Sequence, residues 1–157
     1  MDLEGSSTAA GCRFAIIVSR FNAEITEGLL RGARGALADA SVEAGDVTIV
    51  RVPGAFELPV TAQVLAQSGR FDAVIALGCL IKGETVHFEY IAAAASQGLM
   101  QVSIASGVPV AFGLLTALDD GQALARSADD AGNKGREAAA AAVDMATLLR
   151  QLRRDER

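Results

Sequence analysis

Aromatic side chains are scarce in this chain of 157 residues, which has no tryptophan, one tyrosine and six phenylalanines. The net charge is −5 and no basic stretch carries interleaved aromatics, so nucleic-acid binding is not expected. Neither Cys12 nor Cys79 has a metal-ligand spacing, which predicts reduced thiols and no metal site. No apolar run approaches the roughly 18 residues of a membrane span, and residues 1–11 do not resemble an export signal. We therefore expect a cytoplasmic protein without a membrane segment.

Short apolar runs alternate with stretches of helical periodicity along the chain. The predicted strands cover residues 14–18, 47–52, 73–77 and 108–115, and the predicted helices cover about 25–40, 58–69, 87–106, 120–128 and 133–152. This alternation predicts a four-stranded parallel sheet in a three-layer α/β/α sandwich, as one domain over residues 1–157. Residues 1–12 lack periodicity and form a predicted N-terminal arm, either disordered or ordered against another subunit.

Three glycines, Gly28, Gly32 and Gly35, lie within the first predicted helix. Each costs about 1 kcal/mol of helix stability relative to alanine. Glycines in such a row more often allow close backbone packing than carry chemistry, so we predict a packed helix face there.

Unusual residues follow the first three predicted strands, at 20–22, 53–59 and 78–87, where a glycine turn at Gly78 is expected to interrupt the third strand. Because the carboxyl ends of parallel strands meet at one sheet edge, these segments should converge there. Phe21 could pack in the core or stack on a heteroaromatic ring. Glu57 could favour a helix macrodipole or accept hydrogen bonds from a polyol.

The third segment contains His87, the only histidine of the chain. Its imidazole could transfer protons at neutral pH, or it could be an ordinary surface histidine. Just before it, Gly83, Glu84 and Thr85 could form an anion-binding nest at a helix start, and Thr85 could equally cap that helix.

Two cationic residues lie in the last third of the chain. Arg126 could pair locally with Asp129 or Asp130, or hold a phosphate. Lys134 could contact a substrate carbonyl, although a lysine at a helix start is usually solvated.

Five segments in the same order and spacing resemble the 6,7-dimethyl-8-ribityllumazine synthase family. They are Ser-Arg-Phe-Asn at 19–22, Pro-Gly-Ala-Phe-Glu-Leu-Pro at 53–59, Lys-Gly-Glu-Thr-Val-His-Phe-Glu-Tyr at 82–90, Pro-Val-Ala-Phe-Gly-Leu-Leu-Thr at 109–116 and Ala-Gly-Asn-Lys-Gly at 131–135. The resemblance implies a transferase of riboflavin biosynthesis without a cofactor. Its expected reaction condenses 5-amino-6-ribitylamino-uracil with 3,4-dihydroxy-2-butanone 4-phosphate and releases phosphate and water.

The resemblance also implies roles for single residues. His87 would be catalytic, and Gly83, Glu84, Thr85 and a neighbouring subunit's Arg126 would bind phosphate. Because a carboxylate repels an anion, Glu84 would make this contact through its backbone, with its side chain turned away or paired. The pyrimidine and ribityl groups would contact Phe21, Asn22, Ala55, Phe56, Glu57, Leu80, Ile81, Lys134 and the neighbour's Phe112.

For the fold and assembly, the resemblance implies the flavodoxin-like strand order 2-1-3-4, with the N-terminal arm adding a strand to a neighbouring subunit. A homopentamer is expected, with twelve pentamers forming a shell of 60 subunits, and riboflavin synthase is a candidate partner. Because a fold does not fix a function, the alternative is a flavin- or lumazine-binding or shell-forming protein without turnover. No Gly-x-Gly-x-x-Gly follows the first strand, so a dinucleotide site is not indicated.

Overall fold

A computed structural model of the chain describes residues 1–155, so the last two residues of the predicted domain lie outside the described part. The strands are β1 (Phe14–Ser19), β2 (Val47–Val52), β3 (Ala73–Ile81) and β4 (Val110–Ala117). The α-helices are α1 (Ala23–Asp39), α2 (Leu58–Gln67), α3 (His87–Ser106), α4 (Asp120–Ser127) and α5 (Lys134–Asp155). Short 3₁₀ helices span Ala44–Asp46 and Ala55–Glu57.

All four strands are parallel and lie in the order β2-β1-β3-β4, which confirms the predicted strand order. Side chains alternate between the two faces of the sheet because strand geometry has a period of two. Phe14, Ile16 and Val18 therefore pack with α1 and α5, whereas Ala15 and Ile17 pack with α2 and α3. Both faces of β1 are buried, which explains the apolar sequence from Phe14 to Val18.

The glycines of α1 lie where this helix meets the last third of the chain. A Cβ on Gly28 would overlap the carbonyl oxygen of Ser127, and one on Gly32 would overlap the side chain of Asn133. Asn133 is 1% exposed, and its Nδ2 donates to the carbonyls of Gly28 and Ala128 at 3.0 and 2.9 Å. The prediction of close packing at these glycines is confirmed.

Strand β3 is longer than the sequence predicts, because Gly78 does not interrupt it. The strand continues to Ile81, and Gly78 pairs with Leu114 of β4. A Cβ at Gly78 would lie 3.0 Å from Leu114 Cδ1 and 3.1 Å from Ser19 Oγ, so this glycine relieves crowding within the sheet. Strand β4 also begins later than predicted, at Val110 rather than at residue 108. Gly107 ends α3 in the left-handed conformation with φ of 68°, and residues 108 and 109 connect the helix to the strand.

The N-terminal arm lies along its own chain. The Ser6 amide donates to Thr147 Oγ1 at 2.8 Å, and the Gln151 side chain donates to the Glu4 carbonyl at 3.0 Å. Within the described residues the arm forms no helix or strand, so strand addition to a neighbour stays a prediction. Over this same part of the chain, none of the helices combines the length and apolarity that crossing a bilayer would need.

The hydroxyl of Ser19 is buried without a hydrogen-bond partner in the described structure, and Ser19 is 1% exposed. An unsatisfied buried hydroxyl is destabilising, so Ser19→Ala should raise the free energy of unfolding by about 1 kcal/mol. Ser127→Ala is the matched control, because Ser127 Oγ donates to the Ala123 carbonyl at 2.9 Å and its loss should lower stability. Urea unfolding of both variants checks this. A less stable Ser19→Ala variant would contradict the prediction.

Candidate active site

A cavity of about 450 Å³ opens at the carboxyl ends of β1, β2 and β3. Its walls are Phe21, Pro53, Gly54, Ala55, Phe56, Glu57, Leu80, Ile81, Gly83, Thr85, His87, Phe88 and Ile91. The three predicted strand exits therefore converge on one site, as parallel topology requires. Most of the lining is apolar, with a carboxylate and an imidazole as the ionisable groups.

Two exposed aromatic rings form one side of the cavity. Phe21 follows β1 and is 66% exposed, and Phe56 follows β2 and is 64% exposed. The core interpretation of Phe21 is therefore wrong, because its ring faces the opening. Flat apolar rings held at the surface are suited to stacking on a heteroaromatic ligand.

The loop after β2 places Glu57 at the cavity. Gly54 is extended, and residues Ala55–Glu57 form a 3₁₀ turn that leads into α2, where Pro59 occupies the first turn. A Cβ at Gly54 would lie 3.3 Å from Glu57 Oε2, so the glycine leaves room for this carboxylate. A carboxylate beside an apolar wall can accept hydrogen bonds from ligand hydroxyl groups.

The end of β3 and the start of α3 form the third wall. Helix α3 begins at His87, and its N-cap residue is Val86, which forms no side-chain cap hydrogen bond. The interpretation of Thr85 as the cap is therefore wrong. Gly83 and Thr85 line the cavity directly before this uncapped helix start, whose N–H groups and positive dipole end favour an anion.

Glu84 does not line the cavity and is exposed to solvent. Lys82, two residues before Glu84, does not pair with it, since the Lys82 Nζ lies 4.0 Å from the Glu89 carboxylate. The side chain of Glu84 therefore adds no negative charge inside the cavity.

Four other predicted site residues, Asn22, Phe112, Arg126 and Lys134, lie outside the walls of this cavity. Phe112 is 54% exposed on the edge strand β4, and Lys134 pairs with Glu137 at 2.8 Å. Asn22 donates through Nδ2 to the Cys79 carbonyl at 3.0 Å.

Arg126 lies on the exposed surface of α4, where its Nη1 donates to the Gln122 carbonyl at 3.2 Å. The predicted local ion pair with Asp129 is wrong, since Asp129 pairs with Arg31 at 3.1 Å. Among residues 1–154 no carboxylate lies within ion-pair distance of Arg126, which leaves its guanidinium available to an anion.

Sequence reasoning missed Phe88 and Ile91, which line the cavity next to His87. Their spacing could have predicted this position, because residues 87, 88 and 91 lie on one side of a helix. Both cysteines are free thiols, as predicted, and the structure places both in buried positions. Burial, followed by the charge of Asp120, raises the pKa of Cys79 to about 11, so its thiol is protonated at neutral pH. No cluster suited to a metal ion occurs in the described residues.

The fold and the cavity together define an α/β domain of flavodoxin-like strand order, with an open cavity at the carboxyl edge of its sheet. That cavity joins exposed aromatic rings, a helix start suited to anions and one imidazole. The family model for 6,7-dimethyl-8-ribityllumazine synthase matches residues 11–150, and the chain belongs to this family. Membership makes it a transferase-type enzyme of riboflavin biosynthesis.

Proposed function

We propose that the chain condenses 5-amino-6-ribitylamino-uracil with 3,4-dihydroxy-2-butanone 4-phosphate. The observation that carries the proposal is the single cavity that joins Phe21, Glu57 and His87 from three different strand exits. The two substrates together contain a flat ring, a polyol and a phosphate. The wall with Phe21 suits the ring, the wall with Glu57 suits the polyol, and the wall with His87 suits the phosphate.

The pyrimidine stacks on Phe21, and its polar edge meets the backbone at Leu80 and Ile81. The ribityl chain lies along residues 55–57, where the Glu57 carboxylate accepts hydrogen bonds from hydroxyl groups. For Lys134, which lies outside this cavity in its own chain and pairs with Glu137, a contact with a ring carbonyl rests on the family resemblance alone. Such a pocket combines apolar area for affinity with few polar groups for orientation.

The phosphate of the second substrate binds the N–H groups at Gly83 to Thr85, at the uncapped start of α3. Arg126 of a neighbouring subunit closes this site, since a guanidinium binds phosphate through two parallel hydrogen bonds. The exposed position of Glu84 outside the cavity supports this assignment, because no carboxylate there opposes the anion.

His87 moves protons during the reaction. The aromatic amine adds to the ketone to give a carbinolamine, which loses water to form an imine. Phosphate is then eliminated, and ring closure releases a second water. Each step needs a proton transferred near neutral pH, and positioned acid–base catalysis contributes about 10² to 10⁴ in rate. Holding both reactants in one cavity supplies much of the remaining rate enhancement.

The active unit is an oligomer, because Phe112 and Arg126 complete the site of an adjacent chain, and the homopentamer is the oligomer that the family resemblance implies. Two features of the isolated chain support assembly. Helix α3 has no charged residue from position 90 to 106, yet Tyr90, Met100 and Ile104 are 73%, 61% and 75% exposed. Exposed apolar stripes of this kind mark subunit contacts. Twelve pentamers would form the shell, in which riboflavin synthase is a candidate partner.

In the assembled protein, the N-terminal arm adds a strand to a neighbour's sheet. Strand β2 supports this, since it is an edge strand that leaves one row of backbone groups open to pairing.

Mixing two inactive variants tests the reaction and the shared site together. His87→Ala and Arg126→Ala, co-expressed in equal amounts, should give about a quarter of wild-type activity, because a site is intact when each adjacent chain supplies its unmutated residue. Lumazine absorbance and phosphate release are followed in parallel, with each variant alone as control. If the co-expressed variants are no more active than each variant alone, His87 and Arg126 act in the same chain and the shared site is contradicted. A wild-type chain that binds flavin and forms no lumazine would favour the binding protein without turnover.

A further inference from the structure

Asn22 connects two walls of the cavity without lining it. It follows Phe21 directly and precedes α1, and its backbone is left-handed with φ of 58° and ψ of 50°. This conformation is unfavourable for most side chains and is tolerated best by glycine and asparagine. Strand β1 ends at Ser19, and the amides of Arg20 and Phe21 still donate to the carbonyls of Val52 and Pro53 at 2.8 and 3.1 Å. The left-handed turn at Asn22 then starts α1, and the Phe21 ring is exposed at the cavity.

The side chain of Asn22 links the β1 and β3 segments of the chain beyond the point where their backbone pairing ends. Strands β1 and β3 pair only as far as Val18 and Leu77, although β3 continues to Ile81. Beyond this point, Asn22 Nδ2 donates to the Cys79 carbonyl at 3.0 Å and ties the exit of β1 to the last residues of β3.

Both residues joined in this way adjoin the ligand cavity. Phe21 precedes Asn22, and Leu80 follows Cys79. We propose that Asn22 is a positioning residue, which sets the Phe21 ring against the Leu80–Ile81 backbone so that the heteroaromatic substrate fits between them. The proposal rests on the proposed function, since it takes the pyrimidine as the ligand of this wall.

Three variants separate the backbone conformation from the hydrogen bond. Asn22→Gly keeps the left-handed turn and removes the amide donor. Asn22→Asp keeps the shape but turns an oxygen toward the Cys79 carbonyl. Asn22→Ala removes the donor and also strains the turn. Ser41, the other residue outside glycine with positive φ in the described chain, provides the matched control Ser41→Val, because a β-branched side chain strains a left-handed turn that does not adjoin the cavity.

We expect Asn22→Gly to raise KM for the pyrimidine about tenfold, with kcat and KM for the butanone phosphate changed less than about twofold. Asn22→Asp should raise the pyrimidine KM further. Ser41→Val should lower the melting temperature with both KM values unchanged. If the Asn22 variants lose only thermal stability and keep both KM values, Asn22 has a structural role and the proposal is overturned.

Riboflavin, followed by quenching of its fluorescence, gives a readout that needs no turnover. A wild-type chain that binds riboflavin without forming lumazine contradicts the proposed function, yet a weaker riboflavin affinity of Asn22→Gly still supports the positioning role. Equal affinity in both proteins overturns it. A wild-type chain that neither binds riboflavin nor forms lumazine overturns both proposals.

Discussion

His87→Ala should lower kcat by about 10² to 10⁴, while the dissociation constants of both substrates change less than about threefold. His87 is the first residue of α3 and lines the cavity beside Thr85, and no other imidazole exists in the chain to replace it. The loss should appear in single-turnover kinetics, because the missing proton transfers belong to the chemical steps. Titration with riboflavin should show an intact binding site.

Glu89→Ala is the matched control for this variant. Glu89 lies in the same turn of α3, is exposed and does not line the cavity, and it loses only a surface ion pair of 4.0 Å with Lys82. Its kcat should equal that of the wild type. A His87→Ala variant with unchanged kcat would remove the imidazole from the mechanism.

Gly135→Ala should lower the free energy of unfolding by about 3 kcal/mol or more. Alanine is favoured over glycine within a helix by about 1 kcal/mol. Whether Gly135→Ala stabilises or destabilises the protein therefore depends on the space around Gly135. There a Cβ would lie 2.6 Å from the carbonyl carbon of Leu29 and 2.8 Å from its Cα. These are backbone atoms of α1, which cannot move aside without separating α1 from α5.

Gly45→Ala is the control, because a Cβ at Gly45 has no neighbour within 4 Å. Its stability should differ from the wild type by less than about 0.5 kcal/mol. Urea unfolding, followed by far-ultraviolet circular dichroism, compares the two. Equal midpoints for both variants would mean that α1 and α5 are not packed as closely as described.

Most of the fold could be predicted because its signals are local. Apolar runs and helical spacing in the first half of the chain indicated β1, β2, α1 and α2, and the parallel arrangement followed from their alternation. The end of β3 could not be predicted. Gly78 within an apolar run is compatible with a turn or with crowding, and the deciding neighbour, Leu114, lies on another strand.

The candidate site likewise has some features that the sequence predicted and others that depend on the folded backbone. Phe21, Glu57 and His87 follow strands, so topology alone predicted that they meet. The role of Thr85 at α3 could not be predicted, because a threonine before a helix is a plausible cap until the backbone is known. The hydrogen bond of Asn22 could not be predicted either. Its acceptor is the main-chain carbonyl of Cys79, and every residue type at position 79 would provide the same carbonyl.

The single tyrosine gives the uncharged stripe of α3 its own optical signal. Without tryptophan, the long-wavelength part of the protein's ultraviolet spectrum comes from Tyr90 alone, and Tyr90 is 73% exposed in the isolated chain. A phenol free in water rotates and gives almost no near-ultraviolet circular dichroism, whereas one packed against another subunit is asymmetric. The unlabelled protein therefore carries a built-in spectroscopic probe of the surface through which its subunits are proposed to associate.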